Sequence, residues 1–291
     1  MLADCMTEIT PRRHQIMPPR QIVVTLTSIP PRFVNLPRKL ASIGRQTMRP
    51  DRVELHLPKD YRRFPGERPA LPPLPDWVDV IETDRDLGPA TKALPAARRW
   101  RGTATDLLLC DDDRLQDPRW MQRFVEGRRA RPVDILCERG WNIEDRFGLP
   151  RSRPDLPRAE PAPKGGRSLS YRLKRLLSLT LYHPDRQIYR TPGYVDVFEG
   201  FLGALVPVDA FPEATFDIPE IVWTVDDVWL SGMAWSNGVK VWANAMPRPV
   251  FADGHFDRVA ALRDHVEQGI GREKSDLYAV EYLRDQYEVW P

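Results

Sequence analysis

TDLLLCDDD, residues 105–113, joins a short apolar run to three consecutive carboxylates. The run from Leu107 to Cys110 is apolar on both faces, which is typical of a central strand that helices cover on both sides. Such a run is too short for a helix. In open α/β sheets, ligands bind in the crevice beyond the carboxyl ends of the strands. We therefore expect Asp111–Asp113 to lie at a ligand-binding edge of the sheet.

Adjacent carboxylates repel one another, which raises their pKa values unless a cation lies between them. A hard divalent ion with oxygen ligands, Mg²⁺ or Mn²⁺, relieves this repulsion and can also hold a diphosphate. The alternative for Asp111–Asp113 is an acidic turn in solvent, because Asp is a common turn residue. These three residues alone leave both interpretations open.

Composition sets the broad class of protein. Hydrophobic residues make up 42% and charged residues 29% of the 291 residues, as in soluble globular proteins. The 43 basic and 41 acidic residues leave a net charge of only +2, which gives no general case for nucleic-acid binding. The three cysteines are too few for a disulfide framework, and Cys110 and Cys137 lie in apolar runs. Reduced thiols in a cytoplasmic protein are the simpler interpretation.

No apolar run approaches the roughly 20 residues that a membrane-spanning helix needs. Residues 1–20 are polar, end in two prolines and lack the apolar core of a signal peptide, so we expect a flexible leader. We expect a soluble protein, with peripheral contact at the inner face of a membrane as the alternative.

The first half of the chain alternates strand and helix patterns. Strands are predicted at 21–28, 53–57 and 77–82, and helices at 36–43, with Asn35 as cap, and at 90–100. This alternation predicts an α/β fold with a mostly parallel central sheet flanked by helices. Later patterns predict strands at 133–137 and 239–243, a helix within 224–237, and two amphipathic helices from Phe256 onward. We expect a main domain over 21–255 and a helical appendage over 256–291.

The segment 164–177 carries five basic residues and no acidic one, and its leucines share a helical face. It could lie on an anionic membrane surface, where a lipid-linked acceptor is found. It could equally be a helix that covers a ligand pocket. The sequence does not separate these two alternatives.

Five motifs occur in the order and approximate spacing of nucleotide-sugar glycosyltransferases of the GT-A type. They are Val24–Arg32, Asp86–Lys92, Asp111–Asp113, Glu199–Ala204 and Asp226–Ser231. The set resembles bacterial family-2-like enzymes in particular, and it spans residues 22–231. The resemblance implies a GT-A (Rossmann-like) sheet and transfer of a sugar from a nucleotide diphosphate donor, with a UDP-sugar expected. The acceptor that the resemblance implies is a hydroxyl of a glycan or glycolipid.

The resemblance also implies roles on the donor side. Asp113 is the expected ligand of Mn²⁺ or Mg²⁺. Asp111 is expected near both the ribose and the metal, and Asp112 lies beside Asp111 and Asp113. A late histidine joins the metal or the diphosphate in some GT-A enzymes, which makes His255 a candidate, although a solvent-facing histidine is the more common case. Further donor-binding candidates are Thr25, Thr27, Ser28, Arg32, Asp84, Asp86 and Lys92.

Each of these donor-side candidates has an ordinary structural alternative. Hydroxyls at a strand end can bond a base or ribose, or simply end the strand. Lys92, in a first helical turn beside free backbone N–H groups, suits a diphosphate but could be a surface lysine. Asp84 and Asp86 could contact the base or ribose, or cap the helix that follows.

On the acceptor side, Asp226 and Asp227 precede a helical turn. One of them can take the proton of the attacking hydroxyl, and Asp227 matches the base by position. The alternative is that both are N-cap and first-turn residues that complement the helix dipole. Acceptor-binding candidates are Trp223, Glu199 and Gly200, although core packing is the default for a tryptophan.

Two other functions remain open. A nucleotidyltransferase would form sugar nucleotides, but such enzymes carry a glycine-rich loop after the first strand, and Ser28–Arg32 contains no glycine. A non-catalytic glycan- or metal-binding module would explain Asp111–Asp113 but not the second acidic pair.

Overall fold

A computed structural model describes residues 20–67, 69–150, 155–162, 177, 189–244 and 272–291. Several predicted features lie outside the described residues. They are the predicted leader 1–20 except its last residue, His255, most of the basic segment 164–177 and the first of the two predicted C-terminal helices. The domain boundaries at 20 and 255 therefore stay predictions.

The strands, in chain order, are β1 Gln21–Thr27, β2 Arg52–Pro58, β3 Val78–Thr83, β4 Thr105–Leu109, β5 Ile135–Cys137, β6 Gly140–Trp141, β7 Glu160–Pro161, β8 Tyr189–Thr191, β9 Gly193–Val195, β10 Val197–Phe198, β11 Ala204–Pro207 and β12 Val241–Ala243. The α-helices are α1 Leu36–Gly44, α2 Leu94–Trp100, α3 Trp120–Ala130, α4 Ile143–Phe147, α5 Asp226–Ser236 and α6 Arg272–Tyr287.

The described residues form a main sheet of eight strands in the order β3-β2-β1-β4-β11-β5-β12-β9. The first four are parallel neighbours, and β12 is parallel to β5. β11 is antiparallel to both of its neighbours. The predicted α/β class, a mostly parallel sheet flanked by helices with a helix at the C-terminal end, is therefore confirmed.

The strand β4 lies in the middle of this sheet, as its apolar sequence predicts. Leu107 and Leu109 belong to the core under α2 and α5, whereas Leu108 and Cys110 belong to the core under α1 and α3. Successive strand side chains point to opposite faces, so a strand covered on both sides needs apolar residues at every position.

The prediction of one continuous helix over residues 90–100 was wrong. It is divided into a 3₁₀ helix, Gly88–Lys92, and α2, which begins at Leu94. Pro95 has no N–H to donate to the preceding turn, so a continuous helix is interrupted there. Asn35 also differs from expectation, because its side chain makes no capping hydrogen bond to α1. Instead, Asn35 Nδ2 donates to the carbonyl of Asp112 at 3.2 Å.

The helix α6 packs on α5. Leu283 is fully buried, and a Cβ at Gly232 would lie only 2.6 Å from Leu283 Cδ1. The absence of a side chain at Gly232 therefore lets α6 approach α5 closely. Across the part of the chain that the structure describes, no helix is both long and apolar enough to cross a bilayer.

Candidate active site

The register of the sheet brings distant segments to one edge. Thr25 of β1 is opposite Leu109 of β4, so the residues that follow both strands emerge together. Because β11 is antiparallel to β4, its first residue Ala204 is also opposite Leu109. The turn that precedes β11, which contains Glu199 and Gly200, therefore lies at the same edge.

A cavity of about 360 Å³ lies at this edge. Its lining includes twelve of the predicted site residues, which are Thr27, Ser28, Arg32, Asp86, Lys92, Asp111, Asp112, Asp113, Glu199, Trp223, Asp226 and Asp227. The structure thus brings the predicted donor-side and acceptor-side residues into one cavity.

Three described candidates do not line the cavity. Thr25 is fully buried, and its hydroxyl donates to the carbonyl of Lys92 at 2.7 Å. The side chain of Asp84 is 85% exposed and pairs with Lys59 outside the cavity. Gly200 is buried and does not line the cavity, and its N–H donates to Asp227 Oδ1 at 3.1 Å. The geometry of Thr25 and Asp84 therefore argues against direct contact with the sugar donor.

Asp112 points into the loop after β1. Its Oδ2 accepts a hydrogen bond from Ser28 Oγ at 2.5 Å, and its Oδ1 accepts one from Arg32 Nη1 at 2.9 Å. Burial raises the pKa of Asp112, and Arg32 and Ser28 oppose this rise. Ser28 and Arg32, which were expected to bind the donor, thus also hold the second carboxylate of the acidic triple.

Asp113 has an oxygen that is suited to a cation. Its Oδ1 is buried and accepts no hydrogen bond, with Arg114 Nε 3.8 Å away. Burial and the neighbouring charges of Asp111 and Asp112 raise the pKa of Asp113 to about 6. A nearby cation would relieve this repulsion.

Lys92 is neither a solvated lysine nor one that reaches freely toward a ligand. Its side chain is 4% exposed, and its Nζ donates to Asp111 Oδ1 at 2.7 Å. The same Nζ lies 2.9 Å from Asp226 Oδ2, an ion pair without hydrogen-bond alignment. Burial alone would lower the pKa of Lys92, but the attraction of these carboxylates outweighs burial and raises the pKa well above its ordinary value.

The pKa of Asp111 is lowered, contrary to what repulsion within the triple predicts. Burial acts to raise this pKa, and the charge of Lys92 together with its hydrogen bond outweighs burial. The side chain of Asp111 is still 32% exposed toward the cavity.

The two acidic residues at the start of α5 have different environments. Val225 is the N-cap, so Asp226 and Asp227 occupy the first turn and neither is the cap. Asp226 is buried against Lys92, whereas Asp227 is only partly buried and lines the cavity. Of the two, Asp227 is therefore the better placed to meet a ligand.

Asp86 and Trp223 mainly hold the wall of the cavity together. Asp86 accepts hydrogen bonds from the backbone N–H of Arg62 at 2.8 Å and of Gly88 at 2.7 Å, one on each carboxylate oxygen. Trp223 is 7% exposed, and its Nε1 donates to the carbonyl of Asp86 at 3.3 Å. Arg62 lies 4.5 Å from the centre of the indole ring. These contacts leave little of Trp223 for stacking on a sugar.

Gly88 makes this arrangement possible. Its φ is +60°, and a Cβ there would lie 2.8 Å from the carbonyl oxygen of Trp223. A side chain at this position would be strained and would also displace the wall.

The sequence interpretation missed part of the lining. The residues that it did not single out for the site are Ile29, Pro58, Tyr61, Arg63, Phe64, Gly88, Pro89, Arg114 and Phe201. Tyr61, Arg63 and Phe64 lie in the proline-rich segment after β2, between two predicted strands, where the sequence predicted no site residue. The sequence feature that could have identified these three residues is the concentration of aromatic and basic residues directly after a strand end.

The side chains at this end of the cavity match part of the ligand set that a divalent cation needs. Asp111 and Asp113 offer carboxylate oxygens toward the cavity, and one of these oxygens is buried without a hydrogen bond. No group of three His, Cys, Asp or Glu side chains suited to a metal is found among the residues that the structure describes. Mg²⁺ commonly takes one or two carboxylates and completes its shell with phosphate and water. The carboxylates therefore fit a cation that arrives with a phosphate ligand.

No family model matches the chain, and no curated protein matches its sequence. A solved structure with similarity is that of S. aureus TarS, residues 1–349, at a TM-score of 0.41 and 15% sequence identity. The match covers 80% of this chain and 60% of the TarS chain. At such values the likeness carries no information about the chemistry of the cavity.

Proposed function

We propose that this chain is a glycosyltransferase that moves a sugar from a nucleotide diphosphate donor to a hydroxyl of a glycan or glycolipid. The observation that carries the proposal is the meeting of two acidic sets in one cavity. Asp111–Asp113 come from the end of β4, and Asp226 and Asp227 come from the start of α5. Sugar transfer needs one group to hold a diphosphate and a separate group to deprotonate the acceptor.

On the donor side, Asp111 and Asp113 would hold Mn²⁺ or Mg²⁺, and the expected donor is a UDP-sugar. The cation supplies positive charge to the departing diphosphate. Thr27 and Ser28, at the end of β1, are positioned beside these carboxylates and line the same cavity. Their hydroxyls already donate to His56 O and Asp112 Oδ2, so a ribose hydroxyl can donate to their oxygens.

On the acceptor side, Asp227 takes the proton of the attacking hydroxyl. Asp226 is held by Lys92 and does not serve as the base. With the base and the diphosphate on opposite sides of the sugar carbon, the hydroxyl attacks from the face opposite the leaving group. The product is therefore expected to have inverted anomeric configuration.

We also propose that the reaction takes place in the cytoplasm. The described cysteines, Cys110 and Cys137, are free and buried. Free thiols are typical of a reducing compartment.

The test is a screen of UDP-, GDP- and dTDP-sugars for nucleotide release and for transfer, with and without Mn²⁺. Calorimetry of nucleotide diphosphate binding then compares wild type with Asp113→Ala. Asp79→Ala is the control, because Asp79 is a half-exposed carboxylate on β3 that pairs with Arg52 away from the cavity.

We expect binding that needs Mn²⁺ or Mg²⁺, is lost in Asp113→Ala and is kept in Asp79→Ala. Undiminished metal-dependent binding in Asp113→Ala would overturn the metal assignment. If no sugar nucleotide is bound or cleaved under any condition, the proposed function is wrong.

A further inference from the structure

We propose that Lys92 is a positioning residue that joins the donor side of the cavity to the acceptor side. The inference rests on the proposed function. It differs from the sequence expectation, in which Lys92 binds the diphosphate itself.

Lys92 is fixed by three parts of the chain. Its backbone carbonyl accepts the hydroxyl of Thr25 in β1 at 2.7 Å. Its ammonium lies between Asp111, after β4, and Asp226, at the start of α5. A single side chain therefore sets the separation between the end of a central strand and the first turn of a helix.

The burial of this cluster explains why a positive charge is needed. The side chains of Lys92 and Asp226 are 4% and 3% exposed. A carboxylate buried this deeply requires a cation beside it, because water cannot stabilise its charge. The pairing holds Asp226, and Asp227 is the next residue in the same helical turn. Lys92 therefore controls where the proposed base lies.

Gly200 shows how closely the ammonium and the base approach one another. A Cβ at Gly200 would lie 3.1 Å from Asp227 Oδ1 and 3.2 Å from Lys92 Nζ. Both groups thus border the space that a Cβ at Gly200 would occupy, and a side chain there would make at least one of them shift by a few tenths of an ångström. The relative position of Lys92 and Asp227 is therefore tightly restricted.

The first experiment separates positioning from folding. The variants are Lys92→Met, Asp226→Asn and the double variant, and the control is Lys274→Met, because Lys274 is an exposed lysine on α6. For each variant the midpoint of unfolding, the Kd for nucleotide diphosphate, and kcat and KM of transfer are measured.

Lys92→Met should lower both the unfolding midpoint and kcat, because it leaves Asp226 buried without its cation. The double variant should regain most of the unfolding midpoint, since it buries no unpaired charge at position 226. Its kcat should stay lower than that of wild type by on the order of 10²-fold, as expected for a misplaced reacting group. Its Kd for nucleotide, measured at saturating Mn²⁺, should change by no more than about threefold, because at that concentration a weaker hold of Asp111 on the metal no longer limits binding, whereas lost direct phosphate contacts would. Lys274→Met should match wild type.

If the double variant recovers kcat together with stability, Lys92 has only a structural role, and the proposal is overturned. A Kd at saturating Mn²⁺ that is weakened on the order of 10-fold or more in the double variant would instead make Lys92 a direct ligand of the diphosphate. A wild-type protein without any transfer activity would mean that the proposed function fails, and the positioning role would fail with it.

Gly200→Ala is a second test that removes no charge. The added methyl should push Lys92 and Asp227 apart and lower kcat by on the order of 10-fold or more, with nucleotide binding nearly unchanged. Gly44→Ala is the matched control, because its Cβ would also meet a neighbour closely, at 3.1 Å from Trp77, far from the cavity. Wild-type kcat in Gly200→Ala would contradict the proposed positioning.

Discussion

The backbone N–H of Gly200 donates a hydrogen bond to Asp227 Oδ1 at 3.1 Å. The turn before β11 therefore holds the proposed base by a backbone group. Backbone geometry does not depend on the protonation of a side chain, so this contact fixes the carboxylate throughout the reaction. The same contact makes a conservative substitution at position 227 informative.

Asp227→Asn keeps an oxygen that can accept the N–H of Gly200, but an amide cannot take a proton at neutral pH. We expect transfer to fall by on the order of 10²-fold or more, with the affinity for nucleotide nearly unchanged. Product formation and calorimetry on the same preparation measure the two quantities. A wild-type rate in Asp227→Asn, or a product that retains the donor configuration, would show that Asp227 is not the base.

Leu283→Ala tests whether α6 belongs to the core of the domain. Leu283 is fully buried and fills the space beside Gly232. Its truncation should reduce the free energy of unfolding by about 2–5 kcal/mol. Gly232→Ala alone should also destabilise the chain, but in the Leu283→Ala background the same methyl should restore part of the loss. Denaturant unfolding measures all three variants, and a value near zero for Leu283→Ala would mean that α6 is a detachable appendage.

Glu138 should make stability depend on pH. It is fully buried, and burial raises its pKa from the ordinary 4.5 to about 8, with Arg123 opposing this rise. Between these two values the folded chain keeps a proton that the unfolded chain has lost. The free energy of unfolding should therefore fall as the pH rises through this window.

Glu138→Gln still accepts the hydrogen bond from Arg123 and does not titrate. It should be more stable than wild type by about 1 kcal/mol or more near pH 9 and should lose this advantage as the pH approaches about 5. Glu126→Gln, on the exposed side of α3, is the control. Equal pH slopes for Glu138→Gln and wild type would mean that Glu138 is ionised in the folded chain throughout.

Several elements of the fold could be predicted because their signals are local. The β-branched and apolar pattern of residues 21–28 predicted β1, and the apolar run before Asp111 predicted a central strand. The exact course of residues 88–100 could not be predicted from helical periodicity alone. There the effect of Pro95 on a single hydrogen bond outweighed the periodic pattern.

The sequence by itself determined that the polar residues after β1 and β4 line one cavity, because the carboxyl ends of neighbouring parallel strands meet at one edge. It did not indicate that Tyr61, Arg63 and Phe64 line the same cavity. It also could not determine the pairings of the polar residues. Whether Lys92 reaches solvent, a phosphate or Asp226 depends on where α5 begins relative to β4, and these segments are far apart in the chain. Likewise, Asp86 and Trp223 hold the wall only because two distant loops meet. Only the tertiary structure decided these pairings. The free energy of each charge depends on its burial, and burial depends on all the packed elements together.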